Sequence, residues 1–305
     1  MLDLIIIGSS AAGAAAGIWA ARRNLKIKII TIDTDGEVAL SGEVSNYPGI
    51  IEINGLDLAK KFKEHLDYYK IAVQSDSEVR EIKKEGDIFL VSGIWLRKNF
   101  EEKSKTVILA TGSKPKHLNI AGEKDFYHKG VSYCTVCDGP LFKDKIVATI
   151  GGGNSALESV LMLSSLAKKV YIINKNPLFK GEEMLVEKIK NLTNIEIISE
   201  AFTEEIKGGK FVEKLIYRDK SGKLNELNID GIFVHIGMLP NSQMVPQNVK
   251  KSDLEEIEIN TKCETSLPGF FAAGDVTSLP YKQIAIATGQ GACAALSAIS
   301  YLNSH

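Results

Sequence analysis

The sequence predicts an α/β fold that holds two units of one design. Two observations carry this reading. A strand, a glycine turn, a helix of small residues and a second strand follow one another between Asp3 and Ile32, and the same order returns between Lys145 and Ile173. Such an order needs parallel strands joined by a crossover helix, and its return half a chain later is an internal repeat. A length of 305 residues is enough for two domains.

In the first unit, Asp3–Ile7 is an apolar run with three successive isoleucines, as expected of a strand buried on both faces. Gly8-Ser9-Ser10-Ala11-Ala12-Gly13 follows, then a helix from about Ala11 to Arg23 and a strand over Lys26–Ile32. In a dinucleotide loop the first glycine makes the turn, the second lets the backbone approach a pyrophosphate, and the third lets helix pack on strand. The helix start then offers free N–H groups to the phosphates. Ser10 stands in the place of the second glycine, and Asp33 sits where a carboxylate would hold a ribose. These are marks of a three-layer, Rossmann-like unit. Leu4 to Ala21 is uncharged and near the length of a membrane span. Its glycines, and the lack of a basic start, favour strand plus helix over a span or signal, so a cytoplasmic location is expected.

A helix after Gly55 places Leu58, Phe62, Leu66 and Tyr69 on one stripe, and residues 71–110 read as strands ending at Thr111-Gly112. In the second unit the strand Lys145–Ile150 leads into Gly151-Gly152-Gly153-Asn154-Ser155-Ala156, a helix over Asn154–Leu166 and a strand over Lys169–Ile173. Alanine at the third glycine position is permitted. No carboxylate follows this strand. Asn174, Lys175, Asn176 and Lys180 stand there, and the two lysines either meet a 2′-phosphate or are solvated surface charges. Residues 195–234 read as further strands. Phe270–Ala273 is a short strand ending in Gly274-Asp275, and a last helix runs from about Gln283 to Leu302.

Cys134-Thr135-Val136-Cys137-Asp138-Gly139 is the chemical centre. Two intervening residues let the sulfurs close into a disulfide, and the spacing favours a reactive thiolate. Asp138 could carry the proton that thiol exchange moves. Tetrahedral zinc wants four ligands. No second Cys-x-x-Cys or spaced His pair is present, so no metal is expected. Cys293 reads as core filler in a small-residue helix, and Cys263 as a passive thiol. A net charge of −1, with no basic block, argues against a nucleic-acid partner.

In order and spacing these residues resemble the low-molecular-weight thioredoxin reductases, over nearly the whole chain. The likeness includes Glu43-Val44, Asn46-Tyr47-Pro48-Gly49, Ala110-Thr111-Gly112, Cys134 to Gly139, Gly151 to Ala156, Gly237 to Asn241, Phe271 to Val276 and Lys282-Gln283-Ile284. The resemblance implies an FAD-binding domain from residues 1–112 and 243–305. An NAD(P)H-binding and redox-disulfide domain, 113–242, is inserted into it. Gly8, Ser9, Ser10, Ala11, Ala12, Gly13 and Asp33 would then meet the FAD pyrophosphate and ribose. Asn46, Gln283 and Ile284 would lie at the ring system, Gly274 and Asp275 at the ribityl or pyrophosphate, and Thr111 and Gly112 in the same site. Gly151, Gly153, Asn154, Ser155, Ala156, Lys175 and Lys180 would hold NAD(P)H.

The resemblance further implies that electrons pass from NADPH or NADH through FAD to Cys134–Cys137, and on to a thioredoxin or glutaredoxin-like protein. Because the chain ends at His305, that partner is expected to be a separate protein. A homodimer is expected, with no membrane partner. The inserted domain is expected to swivel about hinges near 112–118 and 240–246. Cys137, beside Asp138, is expected nearest the flavin. One departure bears on the donor: the NADPH-using family has His-Arg-Arg at 174–176 and Arg at 180. Lys cannot grip a phosphate with two parallel bonds as Arg does. Losing one or two such contacts weakens NADPH about 10-fold to over 100-fold, so weak or relaxed NADPH use is expected, with another electron donor altogether as the alternative. Two other functions compete: a flavin NAD(P)H oxidase with idle cysteines, and a nucleotide-sensing protein without turnover.

Overall fold

The strand Leu2–Ile7 is hydrogen-bonded on both sides in the computed structural model of the chain, in parallel with Ile27–Ile30 and with Lys98–Leu109. The structure describes residues 1–39, 41 and 43–304, and of Glu43 only the backbone. Ala72–Gln74 extends the sheet beyond Ile27–Ile30. Lys98–Leu109 serves two neighbourhoods. Its end pairs in parallel with Phe270–Ala272, while its start pairs antiparallel with Ile88–Trp95, which in turn pairs with Ser77–Glu85.

Burial on both faces explains the isoleucine run. Leu4 and Ile6 join a core with Ile29, Ile108 and Phe271 on one face of the sheet. Ile5 and Ile7 join Ile30, Val107, Leu109 and Phe270 on the other, against Val79, Ile82, Phe89 and Val91. Neighbouring residues of a strand point to opposite faces, so a doubly covered strand must be apolar throughout.

On the first face lie the helices Ala11–Ala21, Gly55–Tyr68 and Ile284–Ser304. Gly55–Tyr68 starts on the Asn54 side chain, which accepts from the Leu56 N–H, a standard N-cap. The expected stripe holds at Leu58 and Leu66, each at most 2% exposed. Small residues let the other two helices approach. A Cβ added to Gly291 would lie 2.0 Å from the Ala12 carbonyl oxygen. Among the described residues, Ile284–Ser304 is the one helix long and apolar enough to cross a membrane. It buries Ala287, Gly291, Ala294, Ala295 and Ala298 in the protein core.

The second parallel sheet runs Val131–Ser132, Gly231–Val234, Ile146–Ile150, Lys169–Asn174, Ile195–Ser199, with every neighbouring pair parallel. Asn154–Ser164 is its crossover helix after Ile146–Ile150. An antiparallel ribbon of Phe202–Gly208, Val212–Arg218 and Leu224–Asn228 accompanies it. The chain divides into two compact units, Met1–Lys114 with Leu239–His305, and Pro115–Met238. The two crossings between units, Ser113–Pro115 and Met238–Pro240, pair with each other as a short two-stranded sheet.

The Gly291 contact gives a test. In a free helix, Gly→Ala gains about 1 kcal/mol. Here the methyl meets backbone 2.0 Å away. Gly291→Ala is expected to lose at least ~2 kcal/mol of unfolding free energy in a denaturant titration, and a gain would contradict the packing.

Candidate active site

Both glycine loops form where their strands end. Gly8 has φ +100°, and a Cβ there would lie 2.2 Å from the Ala110 carbonyl oxygen. A Cβ on Gly13 would lie 1.9 Å from the Gly8 carbonyl oxygen, so loop and helix touch backbone to backbone. Ser10 caps the helix Ala11–Ala21 by backbone alone. Its side chain makes no cap bond, and the first turn holds no acidic residue. The helix start therefore keeps unpaired N–H groups and an uncompensated positive end, which suits an anion. The serine hydroxyls face the neighbouring turn instead: Ser9 Oγ donates to the Asp33 carbonyl at 3.2 Å, and Ser10 Oγ to the Asp35 carbonyl at 3.4 Å.

Asp33 opens this turn, and its carboxylate accepts from the Asp35 and Gly36 N–H groups. Glu37, which sequence reasoning passed over, faces the same place. Burial raises its carboxyl above the usual range, and Asp33 and Asp275 add to the rise. Burial also raises Asp275, while Lys282 opposes the shift. Asn46 and Gln283, 237 residues apart, are joined at 3.2 Å from Nδ2 to Oε1. Gln290, also missed, accepts from the Gly274 N–H at 2.6 Å. Thr111 Oγ1 donates to the Asn241 carbonyl at 2.6 Å, and Asn241 Nδ2 returns a bond to the Thr111 carbonyl at 2.9 Å. Beyond Gly112, at φ +66°, a Cβ would meet nothing within 4 Å. Next to it, the Ser113 hydroxyl is buried with no hydrogen-bond partner among the described residues. A buried hydroxyl left alone costs about 1–3 kcal/mol. The open helix start and the side-chain-free loop together fit a dinucleotide.

The second loop repeats the first. Gly151 has φ +147°, and a Cβ there would lie 2.2 Å from the His235 carbonyl oxygen. Gly153 opens onto space, and it starts the helix Asn154–Ser164 with no side-chain cap and no acidic first turn. The helix start is thus fit for a second pyrophosphate, with Ser155 exposed and Ala156 buried beneath. Asn154 is occupied: its side chain donates to Glu182 Oε1 and accepts from the Glu182 N–H. Asn174 is 1% exposed. It bonds the Leu178 carbonyl and the Asn176 N–H, so it shapes the turn rather than reading a phosphate. Lys175 and Lys180 are exposed and make no ion pair among the described residues.

Cys134 and Cys137 are joined as a disulfide, with Cα atoms 5.3 Å apart. Both are partly exposed, and Val136 between them is exposed. Cys134 caps the turn Thr135–Asp138, its Sγ accepting from the Cys137 N–H at 3.2 Å. Ser132 supports the motif twice: its Oγ accepts from the Cys134 N–H at 3.1 Å and donates to Asp138 Oδ2 at 2.6 Å. Just before the motif, Tyr133 donates to Glu123 Oε1 at 2.8 Å and lies 2.6 Å from His117 Nδ1. Burial, then Glu123, push the Tyr133 phenol above its usual range. Behind the motif, Thr135 Oγ1 meets His235 Nε2 at 2.7 Å and Ser159 Oγ at 2.6 Å. Burial lowers His235 to about 4. No periodicity marked Ser132, Glu123 or His235; the first two act on near neighbours in the chain, and His235 acts across 100 positions.

Cys263 and Cys293 share one seam. Cys263 Sγ bonds the Gln290 carbonyl and Cys293 Sγ the Thr261 carbonyl, each at 3.5 Å. Burial, with Cys293 beside it, pushes the Cys263 thiol up to about 12, so it stays protonated.

Two glycine loops at open helix starts, and a partly exposed Cys-x-x-Cys disulfide, define a dinucleotide-dependent dithiol oxidoreductase. A family model for pyridine nucleotide-disulphide oxidoreductases matches residues 2–291, and the chain belongs to that family. The family is FAD-dependent and uses NAD(P)H. A subunit of the alkyl hydroperoxide reductase of Escherichia coli is 41% identical over 98% of this chain, and an NADH dehydrogenase of Bacillus subtilis is 36% identical over 98%. The chain spans 58% of the length of each of these relatives. The thioredoxin reductase of Streptococcus pyogenes superposes with a TM-score of 0.89 at 33% identity, covering 100% of this chain and 99% of its own. That of Giardia duodenalis gives 0.90 at 29%, covering 99% of each. The resemblance to low-molecular-weight thioredoxin reductases thus extends to the fold, while the two sequence relatives just named carry other names.

His235 sets a pH dependence. Unfolded, it takes a proton near pH 6.5, and folded only near 4. Stability is therefore full above pH 6.5 and falls as pH drops toward 4, by on the order of 3 kcal/mol from this group. Denaturant titrations at pH 7 and pH 4 are expected to show a smaller loss in His235→Gln than in the parent. Equal losses would contradict the assignment.

Proposed function

We propose that the chain is a disulfide reductase that draws electrons from NAD(P)H and delivers them through Cys134 and Cys137 to a small thioredoxin- or glutaredoxin-like protein. The observation that carries this is the redox turn: a disulfide open to solvent, a carboxyl held in the same turn by Ser132, and an exposed apolar Val136 beside it. Both glycine loops lie on the same chain as that turn. A regulatory binding protein needs no such disulfide.

FAD, held at Gly8 to Gly13, Asp33, Gly274 and Asp275, would supply two-electron reduction of the disulfide at the expense of NAD(P)H. The residues do the rest. With both thiols formed, one cysteine attacks a sulfur of the partner's disulfide as thiolate, and the other then displaces the partner. Two electrons and two protons pass to the partner, and the Cys134–Cys137 bond reforms. Asp138, fixed by Ser132, is placed to hand over a proton during exchange. Cys134, whose Sγ already accepts from the Cys137 N–H, is the cysteine we assign to the partner, leaving Cys137 for the flavin side.

The donor follows from the second loop. With Asn174 committed to its own turn and only exposed Lys175 and Lys180 nearby, nothing grips a 2′-phosphate bidentately. NADH use fits this, as does a relative named NADH dehydrogenase. An oxidase reading, with the cysteines idle, also takes support from that name. Cys137→Ser separates the two. We expect it to abolish turnover on a protein disulfide, whereas an oxidase would keep its full physiological turnover.

Steady-state assays of the parent are expected to give NADH a kcat/KM at least comparable to that of NADPH. A strong NADPH preference with low-micromolar KM would contradict the reading of residues 174–180.

A further inference from the structure

The two parallel sheets end in the same contact, and the difference between them singles out one residue. A Cβ on Gly8 would lie 2.2 Å from the Ala110 carbonyl oxygen, and a Cβ on Gly151 would lie 2.2 Å from that of His235. Two residues further on, each segment has a glycine at positive φ, Gly112 and Gly237. Ala110 and His235 therefore hold equivalent places in the two units. The glycine loop uses only a backbone carbonyl at this place, and in the first unit a methyl group suffices as the side chain. The imidazole in the second unit is an addition that the loop itself does not require.

That imidazole reaches the redox motif. His235 Nε2 lies 2.7 Å from Thr135 Oγ1. Thr135 follows Cys134 directly and is 4% exposed. Its hydroxyl also lies 2.6 Å from Ser159 Oγ, on the helix that the glycine loop opens. The burial that lowers His235 to about 4 keeps the ring neutral in the working pH range, so it supplies a hydrogen bond and not a charge. All these groups belong to the unit Pro115–Met238.

We propose that His235 is a positioning residue for the redox pair: through Thr135 it pins the Cys134–Cys137 turn to the strand end beside the glycine loop and so favours the closed disulfide. The inference rests on the disulfide-reductase reading above. A disulfide closes only when its Cβ atoms come within about 4.5 Å. A turn anchored at Thr135 holds the dithiol near that geometry. With the anchor released, the dithiol gains freedom that closure must remove, and the disulfide becomes easier to reduce.

The test is a thiol–disulfide equilibrium on the purified holoprotein, without any electron donor. The protein is equilibrated anaerobically with glutathione buffers, in which Cys134 and Cys137 lose two electrons and two protons as one glutathione disulfide becomes two glutathiones. Free thiols are then alkylated and counted by mass. His235→Leu and Thr135→Val are each expected to lower the disulfide-forming constant about fivefold, which is ~20 mV. The double variant should shift no further than Thr135→Val alone. His235→Gln, whose amide can reach the same hydroxyl, should stay within about twofold of the parent.

Parent-like equilibria in His235→Leu and Thr135→Val overturn the proposal. So does a double variant in which the two effects add, or a His235→Gln as impaired as His235→Leu. If His235→Leu does not fold, Thr135→Val removes the same bond from the other end, and Ser159→Ala, which removes the other bond of that hydroxyl, is its control: a shift in Ser159→Ala as large as in Thr135→Val overturns the proposal. A parent pair that never exchanges with glutathione overturns the reductase reading itself and this inference with it. A normal parent with unshifted variants overturns this inference only.

Discussion

Backbone passes backbone without an intervening side chain at the ends of both parallel sheets, and the site depends on that constraint. At Gly8 and Gly151 any larger residue would drive a carbon to 2.2 Å from a neighbouring carbonyl oxygen. The close approach brings each helix start up to its strand end, with unpaired N–H groups facing outward. Such a start holds a diphosphate without a single cationic side chain. Close packing also explains why helix Ala11–Ala21 is built mostly from alanine and glycine: it must lie under the sheet and beside Ile284–Ser304 at distances that larger residues forbid.

The redox turn uses a second economy of space. Five residues contain both sulfurs and a carboxyl, and polar neighbours flank them: Ser132 in front, His235 and Ser159 behind, Tyr133 with Glu123 ahead of Cys134. Glu123 is 1% exposed, and it accepts from two backbone N–H groups at 2.7 Å as well as from Tyr133. A buried carboxylate with three donors is rigid rather than costly. The motif itself can exchange electrons while its surroundings stay still.

Most of the fold was legible in the sequence because its signals are local. The isoleucine run, the glycine turns and the Cys-x-x-Cys spacing each lie within a few residues, and the structure forms strand, loop, helix and disulfide at those places. The support of the site was not legible, because it joins residues far apart: Thr135 with His235 across 100 positions, and Asn46 with Gln283 across 237. A lone histidine on a strand carries no pattern. The hydroxyls of Ser10 and Thr111, in loops that the sequence singles out, bond the Asp35 and Asn241 carbonyls, which no local pattern foretold. Cys263 and Cys293 read as two unrelated thiols, and only folding sets them in one seam. Ser132 and Glu123 stand beside the redox motif, but nothing in residue type separates them from ordinary turn residues.

The central claim is that the Cys134–Cys137 disulfide exchanges electrons with a flavin carried by the same chain. The most direct measurement is an anaerobic titration of the holoprotein with NADH, following flavin absorbance and alkylatable thiols together. Flavin and disulfide each take two electrons. The account predicts that full reduction consumes two equivalents per chain and exposes the Cys134 and Cys137 thiols. Complete bleaching at one equivalent, with both cysteines still closed, would contradict it.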